Sequence, residues 1–278
     1  MALYAFDGTW NEDEPEGAND TNVVKFGDAY AERKFYLEGV GTRLGFVGKI
    51  LGGVTGAGGR IRIREAMEQL DHNFAEGDRT IDIIGFSRGA ALALHFANVI
   101  REDRDGAEIR FFGLWDVVAS FGVPGNNLNI GWTLSLPDNA KKCYHAMALD
   151  ERRGNFPLTR VRAPAGGLST VGRLQEVWFR GVHSDVGGGA SVGLSSIALC
   201  WMLRRAREDG LPIDGAKIRK HEASCDPDAP ISKNFDPKLD PPRRILQSDA
   251  VHESVRPRGK VGGTEHNDPL PGMIIARG

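Results

Sequence analysis

The sequence predicts an α/β domain built on a mainly parallel central sheet with helices on both faces. Three observations carry this expectation. Short apolar runs alternate with amphipathic helical patterns. The 278 residues, 41% of them hydrophobic, suffice for a sizeable core. Three of the apolar runs end on residues that carry chemistry, Ser87, Asp116 and His183, and parallel strands deliver such ends to one edge of a sheet.

The elements follow in order. "LYAF", Leu3 to Phe6, reads as a short buried strand stopped by the turn dipeptide Asp7-Gly8. The glycine-rich stretch from Gly39 to Gly59 reads as a loop region. From Arg60, "RIRIREAMEQLDHNFAEGD" places Ile63, Met67, Leu70 and Phe74 on one face of a helix that Gly77 ends. "TIDIIGF" is a central strand, followed by a helix over about Arg88 to Arg101. "AEIRFFGLWD" is a strand ending at Asp116, and "VVASFGVPGNNLNIGWTLSLPDNAKK" is a turn-rich excursion. "CYHAMALDERR" fits either a short helix or irregular structure. "RLQEVWFRG" is a third strand, closed by the loop "VHSDVGGG", and "LSSIALCWMLRRAREDG" is a helix ending at Gly210. The division expected is a catalytic domain over 1–219 and an irregular C-terminal extension over 220–278, rich in Pro, Asp and Arg.

Composition narrows the function classes. With 35 Lys and Arg against 37 Asp and Glu, the chain has no overall attraction for nucleic acid, and no nucleic-acid partner is expected. Cys143, Cys200 and Cys225 are far apart in sequence and lack metal-ligand spacing, which argues against a zinc site or a disulfide framework. After Met1 the apolar run is cut short by Asp7, so no signal peptide is expected and the chain reads as cytoplasmic when made. No apolar run approaches the length of a membrane span.

The pentapeptide Gly85-Phe86-Ser87-Arg88-Gly89 lies between a strand and a helix, the context of a nucleophile elbow, and gives the fold class its α/β-hydrolase-like character. There the two glycines would avoid collisions, and the Arg88 N–H at the helix start would donate to an oxyanion. Serine needs a base to take its proton and a carboxylate to orient that base. Asp116 and then His183 follow in the chain order of hydrolase triads. Plainer roles compete: Ser87 as a helix N-cap, Asp116 as a turn cap, and His183 as a structural histidine. Asp150 is the rival acid, in a setting that reads as a solvated or salt-bridged surface, and His145 and His252 are the rival bases, whereas His95, inside the helix that leaves Ser87, reads as packed or exposed rather than catalytic. Asp185 is expected to fix the "HSDVGGG" loop. The second oxyanion donor would come from "DGTWN", from Thr9 or its neighbour, with Asp7, Gly8 and Asn11 shaping the turn. Asp7 and Asp185 alone are too few to ligate a metal, so neither a metal nor a cofactor is expected.

Taken together, "FDGTWN", "TNVVKF", "GVGT", "GAG", "GFSRGAA", "LWDVVAS", "HAMALDERR", "WFRGVHSDVGGG" and "LSSIALCWML" resemble the α/β-hydrolase domain of bacterial type VI secretion phospholipase effectors. The matches run in order from Phe6 to Leu203. The resemblance implies a Ser87-Asp116-His183 triad hydrolysing a phospholipid acyl ester. It also implies delivery by a type VI secretion machine and an immunity protein as partner. Transient contact with a membrane surface would need an apolar, cationic element. The candidate is "RLGFVGKILGGV", Arg43 to Val54, read either as an interfacial lid or as a core-packing segment. Two alternatives stay open: a non-catalytic hydrolase-like binding module, and an esterase or thioesterase acting on a small soluble ester.

Overall fold

The computed structural model describes residues 1–8, 20–39, 56–119, 131–233, 241–258, 260–261 and 264–278. Its elements are β1 (Ala2–Phe6), α1 (Asn22–Ala29), β2 (Arg33–Leu37), α2 (Gly56–Ala75), β3 (Ile81–Phe86), α3 (Ser87–Asp103), β4 (Ile109–Trp115), β5 (Cys143–Ala148), β6 (Leu174–Phe179), α4 (His183–Gly187), α5 (Val192–Glu208), α6 (Gly215–Glu222), β7 (Ala250–His252), β8 (Lys260–Val261), β9 (Thr264–Glu265) and β10 (Ile274–Ala276). An 8-stranded sheet runs in the order β10-β7-β6-β5-β4-β3-β1-β2. Every described pairing within it is parallel. β8 and β9 form a separate antiparallel pair.

Strand alternation divides the core between the two faces, as the period of two requires. Tyr4 and Phe6 of β1, Ile81 and Ile83 of β3, and Phe112 and Leu114 of β4 pack with Ile63, Ala66 and Leu70 of α2 and with the apolar face of α3. Leu3, Ala5, Ile84, Phe111 and Trp115 face the other way, against Phe26 of α1, Leu199 and Trp201 of α5 and Ile218 of α6. The expected α/β architecture, a mainly parallel sheet with helices on both faces, is thus the one observed.

Several element readings are corrected. "CYHAMA" is neither helix nor irregular: it is β5, buried at all of its residues, and burial on both faces removes the alternation that would have revealed a strand. The helix expected from Arg60 begins at Gly56, and within its first turn Gly59 lies close against Trp132 and Leu92, where a Cβ would lie 2.8 and 2.9 Å from their side chains. The "VHSDVGGG" loop opens with the one-turn helix α4. The stretch after 220 is mostly without regular structure, yet it adds β7 and β10 to the sheet, and position 220 itself lies inside α6. Cys200 and Cys225, distant in sequence, bring their sulfurs to 3.8 Å, with all three cysteines free. Arg43 to Val54, the segment read as a lid or a core-packing piece, lies outside the described residues.

Candidate active site

β3 runs directly into α3, and at their junction Ser87 has a φ of +58°. A non-glycine residue in the left-handed region is strained, and that strain turns the chain sharply from strand to helix. Ser87 is not the N-cap: Phe86 holds that position, with no side-chain capping bond. The glycines on either side answer to close backbone approach. A Cβ on Gly85 would lie 2.7 Å from the Ala90 Cα, and one on Gly89 would lie 2.3 Å from the Asp7 carbonyl oxygen. The elbow is therefore pressed against the end of β1.

Asp116 follows the last residue of β4 and has a φ of +41°. Its N–H donates to the Ala146 carbonyl (2.8 Å), and its Oδ1 accepts from the Ala148 N–H (2.8 Å), so the end of β5 grips it twice. Its Oδ2 lies 2.6 Å from the Nδ1 of His183, at the start of α4. The Val118 N–H donates to the Ser87 carbonyl (3.3 Å), tying the turn after Asp116 to the elbow. The His183 ring packs on Phe86, the residue before Ser87, with centroids 4.6 Å apart, and edge-on against Phe156 at 4.8 Å. Gly187 makes room for that packing, since a Cβ there would meet the Phe86 ring at 1.9 Å. The structure thus brings Ser87, Asp116 and His183 to one edge of the sheet, each of them at most 5% exposed.

Two charged residues that the sequence did not single out complete the setting. Arg243, from the C-terminal stretch, donates to Asp116 Oδ1 (2.6 Å) and Oδ2 (3.1 Å), and also to the carbonyls of Ala148 (2.8 Å) and Phe156 (2.9 Å). Burial alone would raise the Asp116 carboxyl, but the Arg243 charge and the bonds from His183 and Arg243 outweigh it and hold the group well below the usual carboxylate range. Glu151 accepts the His183 backbone N–H (3.1 Å) and pairs with Arg153, whose guanidinium lies over Phe156 at 3.8 Å. Nothing in local sequence marks either residue; only the fold brings 243 and 151 to this edge.

The remaining candidates take other positions. Asp7, fully buried, accepts from the Gly8 N–H (2.6 Å), the Thr21 hydroxyl (2.7 Å) and the Tyr36 hydroxyl (2.7 Å). Burial nevertheless pushes its carboxyl up to about 6. Thr9 and Asn11 lie outside the described residues. Asp185 accepts from the Val182 N–H (3.0 Å), the Ser191 N–H (3.3 Å) and the Ser232 N–H (3.0 Å) and hydroxyl (2.6 Å), so it joins α4 to the C-terminal stretch. Asp150 is not at a solvated surface: it is buried, bonded to Arg180 (2.9 Å) and to the N–H groups of Gly181 (2.7 Å) and Asn267 (3.2 Å). His145 is buried in β5, its Nε2 accepting from the Val117 N–H (3.2 Å) and its Nδ1 facing Glu176 (2.9 Å). His95 accepts from the Thr133 N–H (3.2 Å), and His252 stacks on Phe179 at 4.7 Å. Among the described residues, the histidine bonded to Asp116 is His183 and none of these three. Among the described residues no three His, Cys, Asp or Glu side chains converge as metal ligands, and no helix is long and apolar enough to cross a membrane.

A family profile described as the type VI secretion system phospholipase effector Tle1-like catalytic domain matches residues 3–102 and 99–205, well over half of the chain. The chain belongs to that family. Membership supports a phospholipase- or esterase-type function for the Tle1-like domain. No curated protein matches it significantly. Among solved structures, an uncharacterized protein from Pseudomonas aeruginosa is 24% identical with a TM-score of 0.54, over 80% of this chain and 48% of that one. This likeness concerns the fold, and the Tle1-like chain spans about half the length of that protein. A second, RedJ with a PEG molecule bound in its active site, is 14% identical over 71% of this chain and 88% of that one, with a TM-score of only 0.34.

Proposed function

We propose that the chain is a serine hydrolase that cleaves a carboxylic ester, with a phospholipid acyl ester as substrate. The observation that carries this reading is the strained Ser87 at a strand-to-helix elbow, together with a histidine that packs on the adjoining Phe86 and whose Nδ1 is held by a buried aspartate at 2.6 Å. With its Nδ1 proton directed at Asp116, a neutral His183 presents a basic Nε2. Ser87 attacks the acyl carbonyl while His183 takes its proton. The imidazolium is stabilised by Asp116 and then protonates the leaving alcohol. Water, activated by the same nitrogen, releases the fatty acid. The Arg88 N–H at the start of α3 is the first oxyanion donor, and the Gly8 N–H, spent on Asp7, leaves Thr9 as the second.

The substrate class rests on the family, whose described activity is that of a phospholipase effector. The same membership supports delivery through a type VI secretion system and an immunity protein as partner. The test is release of fatty acid from phospholipid vesicles by the purified chain and by Ser87→Ala. The reading expects release that the variant loses while its circular dichroism stays unchanged. Equal release by both proteins would reject it.

A further inference from the structure

The matched family region ends at residue 205, yet one of the groups nearest the chemistry comes from beyond it. Arg243 is 10% exposed and spends two nitrogens on both oxygens of Asp116, the oxygens that also hold the Ala148 N–H and the His183 ring. Its two further bonds, to the carbonyls of Ala148 and Phe156, fix the guanidinium from behind. A planar fork anchored at four points orients a carboxylate far better than a single-point cation does. Its charge also has an electrostatic effect, since a cation on the carboxylate reduces what the carboxylate can offer an imidazolium.

We infer that Arg243 is a positioning residue for the catalytic centre: its fork fixes the Asp116 carboxylate against His183, and its charge limits how strongly Asp116 stabilises the protonated ring. This rests on the serine-hydrolase reading above and adds the C-terminal stretch to the site as a working part. The charged groups around His183 come from several elements. Asp116 comes from the end of β4, and Glu151 and Arg153 from the turn after β5. Asp185 lies on α4 itself, and Arg243 is the cation that bonds Asp116 directly.

The test uses the whole chain in two substitutions, Arg243→Gln and Arg243→Lys. The pH at which the His183 ring titrates is followed by NMR, with His183→Gln used for assignment. Without the guanidinium charge, Asp116 holds the imidazolium more tightly, so in Arg243→Gln the midpoint moves to higher pH by about one unit, and the acid limb of kcat/KM moves with it. An unmoved or lowered midpoint in folded Arg243→Gln overturns the electrostatic half. Arg243→Lys keeps the charge but not the fork, so its midpoint stays near wild type while hydrolysis falls about tenfold or more. A wild-type rate in Arg243→Lys overturns the positioning half, and that variant remains informative if the glutamine variant does not fold. The ring titration needs no turnover, so its failure is separate from the failure of the hydrolase reading, which appears as hydrolysis that survives Ser87→Ala.

Discussion

Asp116 and His183 are joined at 2.6 Å between Oδ2 and Nδ1, across the ends of β4 and β6 with β5 lying between them. A bond spanning that distance in the sheet exists because Asp116 turns back over β5 in a left-handed conformation and α4 starts immediately beyond β6. The pair is therefore a product of backbone geometry as much as of side-chain chemistry.

Substituting Asp116→Asn removes the charge and permits the wrong histidine tautomer. Steady-state kinetics should show kcat reduced by about three to four orders of magnitude. Because the change also leaves the buried Arg243 without its carboxylate, the variant loses about 3–5 kcal/mol of stability in urea titrations. Activity within tenfold of wild type would show that Asp116 does not orient the base.

Two buried carboxyls give stability opposite dependences on pH. Asp116 is held well below its ordinary range, so its contribution is present above about pH 4 and is lost as acid approaches the folded value. Asp7 is raised from 3.8 to about 6, so the native state binds its proton more tightly, and that contribution is full below pH 3.8 and gone above about 6. Wild type minus Asp7→Asn stability, measured in urea, should therefore fall by about 2 kcal/mol between pH 4 and pH 6.5. A flat difference would mean that Asp7 titrates normally.

Gly89 and Gly106 make a paired test of the elbow. A Cβ on Gly89 meets the backbone oxygens of Asp7 and Phe6 at 2.3 and 2.4 Å, whereas Gly106, at φ +69°, has nothing within 4 Å. Gly89→Ala should cost about 3 kcal/mol and most of the activity, because β1 and the elbow must separate. Gly106→Ala should cost about 1 kcal/mol, from backbone strain alone, and leave kinetics unaltered. Equal costs in thermal melts would contradict the packing of the elbow on β1.

The parts of this site that were legible in sequence share one property: each ends a strongly patterned strand. Ser87, Asp116 and His183 follow "TIDIIGF", "IRFFGLW" and "LQEVWF", and a parallel sheet carries strand ends to a common edge. β5 escaped because its neighbours bury both faces, and β2 because an edge strand beginning Arg33-Lys34 lacks the apolar signature of a buried one. Asp150 looked like surface in "LDERR" because its partner Arg180 is distant in sequence. Arg243 and Glu151 reach the site through tertiary contacts alone. An arginine after a pair of prolines, in a stretch with little periodicity, gives no local sign that it binds the carboxylate at the end of β4.

A serine-hydrolase mechanism requires above all that Ser87 be an activated nucleophile. Labelling with a fluorophosphonate probe, followed by mass mapping of the adduct, measures that in one step, with and without detergent. A single adduct is expected on Ser87, absent from Ser87→Ala and greatly slowed in Asp116→Asn. A folded wild-type chain that takes up no probe under either condition, or an adduct that persists in Ser87→Ala, would contradict that mechanism.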